Sequence, residues 1–242
     1  MPYPTGPRPA LDESRRAELA ANLAAVRARI AQACHRAGRA PSEVTLLAVT
    51  KTFPATDVRL LAELGVKDIA ENRDQEARVK VAACADLDLT WHFVGQLQTN
   101  KARSVAGYAS AVHSVDRPGL VQALDRATRR TERELLCFVQ VRLDDRPGRG
   151  GADPRDVPAL ADSIAAAPWL RLAGVMGIAP LDAEPGPAFV RLAEVAAAVR
   201  SAHPDARWLS AGMSDDLEVA IEHGATHVRV GRGLLGVRPL TR

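Results

Sequence analysis

The sequence predicts an α/β protein built as a single-domain (β/α)8 barrel, the TIM-barrel fold. Three observations support this: eight short apolar, β-branched segments, helix-like stretches between them, and 242 residues without a linker or a change of composition. Strands that alternate with helices form parallel sheets, and eight of them favour closure into a barrel over an open sheet. We expect the barrel over residues 11–242, after a proline-rich flexible tail over residues 1–10.

The first element is a helix that precedes the barrel. Apolar residues recur every three or four positions from Leu19 to Ala33, which is the spacing of one helix face. Gly38 and Pro41 follow and end the pattern. Because this helix comes before the first strand, it is an addition to the eightfold repeat.

The remaining elements alternate along the chain. The predicted strands are Val44–Val49, Asp68–Ala70, Trp91–Val94, Ala111–Val115, Leu135–Val141, Leu170–Met176, Trp208–Ser210 and His227–Val230. The helix-like stretches include Ala55–Leu64, Gln75–Ala83, Pro118–Arg130, Ala188–Ser201 and Asp215–His223. The longest irregular segment, Asp144–Pro158, follows the fifth strand and is either a lid over a site or a solvated connector.

Composition excludes several classes of protein. A net charge of +3 and 4% aromatic residues argue against a nucleic-acid surface, which needs a basic stripe with aromatic platforms. Cys34, Cys84 and Cys137 are far apart and form no C-x-x-C pair, so we expect no disulfide and no metal site. No apolar run reaches the ~18 residues of a membrane span, and no signal segment is visible, so we expect a cytoplasmic protein without a membrane partner.

Lysine is rare in this chain, with four lysines against 28 arginines. Lys51 follows the first strand, in register with Leu47 and Val49. If that register faces the barrel axis, Lys51 points into the mouth of the barrel, where active sites of this fold lie. A partly apolar pocket lowers the pKa of a lysine and makes it a Schiff-base nucleophile, which an arginine cannot become. A solvated lysine without a function is the alternative.

The eighth predicted strand carries an arginine that should point inward. Val228 and Val230 suit the helix-facing side of the barrel, so Arg229 faces the interior. A buried guanidinium needs an acceptor. The acceptor is either a carboxylate of the barrel or a ligand with anionic or ring-nitrogen atoms.

Two turns at the ends of the seventh and eighth strands predict an anion site. Residues 231–236 match G-x-G-x-x-G, but only six residues follow, so the pattern does not belong to a dinucleotide-binding fold. A phosphate cup is the better interpretation, because barrels commonly bind phosphate after these strands. Ser214 is expected to cap a helix whose first turn contains Asp215 and Asp216.

Further segments complete a pattern that spans nearly the whole chain. They are Ala48-Val49-Thr50-Lys51, Glu71-Asn72, Trp91-His92-Phe93-Val94-Gly95 with Leu97-Gln98 and Asn100-Lys101, His113-Ser114-Val115-Asp116, Leu209-Ser210 with Gly212-Met213-Ser214-Asp215-Asp216, and Val228-Arg229-Val230-Gly231. With these segments the chain resembles the pyridoxal 5′-phosphate (PLP) homeostasis protein family, relatives of the barrel domain of alanine racemase.

The resemblance implies a site for one cofactor, PLP. Lys51 would form a Schiff base with it, and Arg229 would face the pyridine nitrogen. The other implied cofactor-binding residues are Ser214, Gly231 and Arg232 at the phosphate, with Asn72, Ser210 and Met213 near the cofactor. The resemblance implies no catalytic residue.

The chain departs from the family pattern at three arginines. Arg232 stands where the family often has a small hydroxyl residue, so its side chain either pairs with the phosphate or points away. Arg142 replaces a common asparagine, and Arg149 replaces a loop lysine that can receive PLP during transfer. A transfer step through position 149 is therefore in doubt.

The resemblance implies a carrier that takes part in PLP homeostasis and delivers PLP to apo-enzymes. The alternative is a racemase, which needs an acid or base on each face of the substrate, but the chain offers only Tyr3 in the tail and Tyr108 before the fourth strand. A PLP-free Schiff-base aldolase would use Lys51 but gives no reason for an inward Arg229. Without the second domain of the racemases, a monomer is expected.

Overall fold

The protein forms a closed barrel of parallel strands in which each strand pairs with the next and the last pairs with the first. The computed structural model describes residues 10–144, 146 and 150–237, apart from the side chains of residues 10–12. The strands are β1 (Thr45–Val49), β2 (Asp68–Glu71), β3 (Thr90–Phe93), β4 (Ala111–Val115), β5 (Leu135–Gln140), β6 (Leu170–Met176), β7 (Trp208–Ser210) and β8 (His227–Val230). The predicted (β/α)8 barrel is confirmed.

Helices surround the barrel and follow the strands. They are α1 (Ala10–Arg36), α2 (Ala55–Glu63), α3 (Asp74–Ala83), α4 (Ala102–Ala106), α5 (Pro118–Thr131), α6 (Val157–Ala165), α7 (Pro185–Ala202), α8 (Leu217–Glu222) and α9 (Arg232–Leu235). The predicted extra helix is α1. Residues 1–9 of the predicted tail, with Tyr3, lie outside the described residues, and the tenth residue begins α1.

Alternation along the strands divides the core into an inner and an outer layer. Leu47 and Val49 of β1 pack with Ala70 of β2 in a small cluster inside the barrel. Val228 and Val230 of β8 instead join the cluster that contains the apolar face of α1. The register that the sequence predicts for β1 and β8 is therefore confirmed, and odd-numbered residues on both strands face the barrel axis.

The added helix α1 covers the barrel wall near α8 and α9. Leu19, Leu23 and Ile30 are buried and share a cluster with Leu217 of α8 and Leu234 of α9. Each of these leucines is worth about 2–5 kcal/mol of stability against replacement by alanine. Helix α1 is thus an integral part of the core beside the last two strands.

The segment Asp144–Pro158 is more regular than expected. Val141 and Ala152 form a parallel bridge, Pro154–Asp156 make one turn of 3-10 helix, and α6 already begins at Val157. Residues 145 and 147–149 of this segment lie outside the described residues. The expectation of a continuous irregular loop is therefore wrong for its second half, because prolines at 154 and 158 favour the first turns of helices.

The three cysteines behave as buried apolar residues. All three are free thiols without solvent access, and burial raises the pKa of Cys137 to about 12.

Over the described ranges, no helix combines the length and the apolar composition that a bilayer crossing requires.

Candidate functional site

A cleft of about 490 Å³ opens at the carboxyl ends of the strands, a size typical of small-ligand sites. Seven of the eight predicted binding residues line it, and the eighth, Ser210, is fully buried behind Arg229. The seven are Lys51, Asn72, Met213, Ser214, Arg229, Gly231 and Arg232. The structure thus brings the predicted residues together in one place.

Lys51 stands at the rim of this cleft. It follows β1 and lines the cleft, but its side chain is exposed rather than enclosed by apolar groups as expected. The next residue, Thr52, has a φ of 69°, a left-handed conformation that is unusual for a β-branched residue. The backbone N–H of Thr52 donates to Glu76 Oε2 over 2.9 Å, so α3 holds the turn that presents Lys51.

A buried ion pair supports the end of β1 from below. Lys80 Nζ donates to Glu71 Oε1 and, over 2.6 Å, to the carbonyl oxygen of Thr50. Thr50 Oγ1 donates to the same Glu71 oxygen, and burial raises the pKa of Glu71. These contacts fix the backbone directly before Lys51, while the Lys51 side chain itself stays accessible. The role of Lys80 was not predicted, although its only signal in the sequence is that lysine is rare in this chain.

Arg229 lies at the floor of the cleft and is 5% exposed. Its Nη1 donates to Ser210 Oγ and its Nη2 to the carbonyl oxygen of Gly177, each over 2.9 Å. Burial lowers the pKa of Arg229 to about 10. Over the described part of the chain no carboxylate forms an ion pair with Arg229, so the alternative of a structural salt bridge is wrong. The guanidinium has further N–H groups for a ligand.

The turns after β7 and β8 meet on one side of the cleft. Gly231 directly precedes α9, and the backbone N–H of Gly233 donates to Ser214 Oγ over 3.1 Å. A Cβ at Gly233 would lie 3.2 Å from a Val230 methyl group and 3.5 Å from the Ser214 hydroxyl. The two turns therefore need a small residue here in order to close together.

The predicted capping role of Ser214 is wrong. Helix α8 begins at Leu217 with Asp216 in the capping position, and Asp216 Oδ1 accepts from the backbone N–H of Met213 over 2.6 Å. The hydroxyl of Ser214 already accepts from Gly233. Asp215 and Asp216 accordingly precede α8 instead of forming its first turn.

Arg232 pairs with Asp215 at the rim of the cleft. Both side chains are mostly exposed, at 69% and 77%, and such pairs contribute ~0–1 kcal/mol. An anion in the cleft can therefore compete with Asp215 for Arg232. The position at the rim keeps both of the predicted side-chain orientations of Arg232 open.

Helix α1 holds both turns from outside. Arg29 Nη2 donates to the carbonyl oxygen of Ser214 over 2.8 Å, and Arg29 Nε pairs with Glu218 over 2.6 Å. Asn22 Nδ2 donates to the carbonyl oxygen of Leu234 in α9 over 3.1 Å. This role of α1 could not be predicted, since polar residues on a helix face show no partner until the helix is docked.

The opposite wall of the cleft contains Asn72 and Gly95. Asn72 lines the cleft, and its Oδ1 is buried without a hydrogen-bond partner among the described atoms. A Cβ at Gly95 would lie 2.1 Å from the carbonyl oxygen of Asn72, so this contact requires glycine.

Two further arginines depart from the family pattern. Arg142 pairs with Asp153 over 2.8 Å, and Arg149 lies outside the described residues.

His92 is hydrogen-bonded to a second buried histidine. Within residues 10–144, 146 and 150–237 no group of three or more potential metal ligands occurs. His92 Nδ1 lies 3.0 Å from His113 Nε2, and His113 Nδ1 lies 2.9 Å from Ser210 Oγ. These buried histidines were missed as neighbours of the site, although polar residues inside apolar strands are a signal for buried hydrogen bonds.

The fold and the cleft define a barrel protein with an accessible lysine, a buried arginine and two glycine-containing turns at the same end. Comparison with known proteins gives the class. The model of the alanine racemase N-terminal domain matches residues 21–239. The alanine racemase of Corynebacterium glutamicum shares the fold at a TM-score of 0.69 and 14% identity, and this chain spans 61% of it and matches with 93% of its own length.

Closer relatives give the family. The pyridoxal phosphate homeostasis protein of Mycobacterium tuberculosis is 47% identical over 93% of this chain and 95% of that protein, and its Escherichia coli counterpart is 36% identical over 93% and 99%. The structure of PipY from Synechococcus elongatus with PLP bound has a TM-score of 0.79 and 36% identity over 90% of this chain and 100% of that chain. The chain belongs to the pyridoxal phosphate homeostasis protein family, as the sequence motifs predict.

Proposed function

We propose that this protein binds PLP in the cleft through Lys51 and takes part in intracellular PLP homeostasis without catalytic turnover. One observation carries the proposal: Lys51, Arg229 and the glycine-rich turns lie around one cleft of about 490 Å³. The relatives named for PLP homeostasis and the PLP-bound PipY support it.

The residues present fit PLP. When bound, PLP supplies an aldehyde that condenses with a lysine amine and releases water. Lys51 is accessible at the rim, and the contacts of Thr50 and Thr52 hold its backbone in place. Asn72 also lines the cleft, and a donor group of the bound ligand would satisfy its buried, unpartnered Oδ1.

Arg229 sets the protonation of the ring. Its guanidinium has only N–H donors, so an Arg229 that faces the pyridine nitrogen holds that nitrogen unprotonated. An unprotonated ring withdraws electrons less strongly, which weakens the cofactor for reactions at an amino-acid Cα. Arg229 therefore favours storage of PLP over chemistry.

The turns after β7 and β8 would hold the phosphate. The Ser214 hydroxyl and the backbone N–H groups around Gly231 would donate to phosphate oxygens, and the Arg232 guanidinium, now paired with Asp215, would pair with the phosphate instead. Met213 lines the same wall. Ser210 acts from behind, through its hydrogen bond with Arg229.

A racemase would need a second acid or base beside Lys51. In the described part of the chain no tyrosine lines the cleft, and Tyr108 packs between the barrel and its helices. Burial raises the pKa of Tyr108, so it is a poor proton donor. The lack of such a group supports a carrier over a racemase. Delivery of PLP to apo-enzymes, a monomeric state and a cytoplasmic location are further parts of the proposal.

The absorption spectrum of the purified protein with PLP tests the cofactor and its anchor. We expect a near-visible Schiff-base band. Borohydride should reduce the C=N bond, remove this band and leave PLP covalently attached to Lys51, and Lys51→Ala should show neither the band nor the attachment. Lys67→Ala is the matched control, because Lys67 pairs with Asp88 on the exposed surface outside the cleft. Absence of the band in the wild type would contradict the proposal.

Carrier and racemase differ in proton exchange. A carrier leaves the α-proton of alanine in place in D2O, whereas a racemase exchanges it, and proton NMR measures this directly. The carrier also restores activity when it is mixed with an apo-form of a PLP enzyme. Exchange that depends on Lys51 would overturn the carrier assignment.

A further inference from the structure

A chain of hydrogen-bonded side chains runs through the barrel interior behind Arg229. Arg229 Nη1 lies 2.9 Å from Ser210 Oγ, which lies 2.9 Å from His113 Nδ1. His113 Nε2 lies 3.0 Å from His92 Nδ1, and His92 Nε2 lies 3.1 Å from Asp68 Oδ1. These hydrogen bonds thus connect the floor of the cleft with the start of β2 across strands β8, β7, β4 and β3.

Its two ends determine the direction of each hydrogen bond. Arg229 can only donate and an ionised Asp68 can only accept. Ser210 accepts from Arg229, so its own proton goes to His113 Nδ1. His113 then donates through Nε2 to His92 Nδ1, and His92 donates through Nε2 to Asp68. In this order each ring donates through Nε2 and accepts at Nδ1.

The reversed order fails at Ser210. In that order Ser210 would accept from both Arg229 and His113, and its own proton would have no acceptor among the described residues. Burial and neighbouring charges also lower the pKa of His113 well below its usual value, which favours the neutral ring that the first order requires.

Asp68 is the one carboxylate in this series of hydrogen-bonded side chains. Its side chain is 31% exposed, whereas His113 and Ser210 are fully buried. Hydrogen bonds in series polarise one another in a low-dielectric interior. The carboxylate therefore strengthens the acceptor that Arg229 meets at Ser210, although Asp68 and His92 do not line the cleft.

We propose that Asp68 and His92 are positioning residues for Arg229. They select one tautomer in each histidine ring, which orients the Ser210 hydroxyl and holds the guanidinium at the ring nitrogen of the ligand. The inference rests on the proposed function only for the identity of that ligand, since the chain of hydrogen bonds belongs to the protein itself.

The first measurement is made without PLP. Nitrogen-15 NMR of the histidine rings in the wild type should show protonated Nε2 and unprotonated Nδ1 in both His92 and His113. Asp68→Leu should change the tautomer of His92, because no acceptor then faces its Nε2. Asp68→Asn should restore the wild-type tautomers, because the amide oxygen still accepts from His92.

The second measurement is PLP affinity by spectroscopic titration. Asp68→Leu and His92→Phe should weaken PLP binding about tenfold, close to the loss of one hydrogen bond to a charged group, and Asp68→Asn should recover most of it. His227→Phe is the matched control. The His227 ring lies in the same interior, 6.2 Å from His113, but bonds to Thr226 instead of the chain.

The outcomes separate the two proposals. A proton on Nδ1 of either ring in the wild type, or wild-type PLP affinity in Asp68→Leu, would overturn the positioning role. The same loss in His227→Phe would also overturn it, since a general disturbance of the interior would then explain the effect. If the wild type does not bind PLP, the proposed function fails, and the ring tautomers still decide whether Asp68 orders the chain.

Discussion

Lys51 and Arg229 are two basic residues of one cleft with opposite environments. Lys51 follows β1 and Arg229 belongs to the paired strand β8, in which it lies opposite Leu47. Lys51 is exposed at the rim, whereas Arg229 is 5% exposed and bonded to Ser210 and Gly177. A residue that must react needs access, and a residue that must orient a ligand needs fixed partners.

Exchange of the reactive residue should give the largest effect. Lys51→Arg keeps the positive charge, but a guanidinium stays protonated and cannot form a Schiff base. We expect no PLP on the chain after borohydride reduction, as measured by mass spectrometry. Lys101→Arg serves as the control and should keep the wild-type yield. Retention of reduced PLP in Lys51→Arg would show that another amine is the anchor.

Removal of the orienting residue should weaken binding without abolishing attachment. Arg229→Leu deletes a charged donor, which is worth about 1.5–3 kcal/mol or roughly 10- to 100-fold in Kd for PLP. Reduction should still fix PLP onto Lys51 when PLP is in excess. Equal affinities of Arg229→Leu and the wild type, measured by titration, would contradict the assigned contact.

Acid should destabilise the interior around Arg229. Burial lowers the pKa of His227 to about 4, against about 6.5 in an unfolded chain. Between these values the unfolded state binds more protons, so the free energy of unfolding falls as the pH decreases. We expect His227 to account for a loss of about 2 kcal/mol between pH 7 and pH 5.

Urea unfolding at a series of pH values measures this dependence. His227→Phe removes the titrating ring and should reduce the loss by most of that amount. His35, an exposed histidine at the end of α1, provides the control: His35→Phe should leave the dependence unchanged. If the free energy of unfolding of His227→Phe changed with pH as much as that of the wild type, this would be evidence against the neutral buried ring.

The support from α1 should have the smallest effect. Arg29→Leu removes the contacts with the Ser214 carbonyl and Glu218, so the turn after β7 is held less firmly. We expect PLP binding to weaken by about 1 kcal/mol, which is roughly a fivefold increase in Kd. Arg36→Leu breaks a comparable exposed pair with Glu222 on the same helix and should leave the affinity at the wild-type value.

Much of the site could be predicted because barrels place chemistry at strand ends. Lys51 and Arg229 occupy positions whose inward direction follows from period-two alternation, and the structure confirms that register. The hydrogen-bond role of Ser214 could not be predicted, because both a helix cap and a contact with Gly233 satisfy its hydroxyl locally. Only the approach of the turn after β8 selects the second.

The sequence by itself determined the order of strands and helices, the eightfold closure, the family, and the residues that meet at the mouth of the barrel. These properties depend on local periodicity and on motifs that lie at strand ends. Only the tertiary structure decided that Lys51 is exposed, that α1 supports both turns, and that Asp68 connects with Arg229 through two histidines and Ser210. Such contacts join residues far apart in the chain, and burial and hydrogen-bond partners exist only after the strands close.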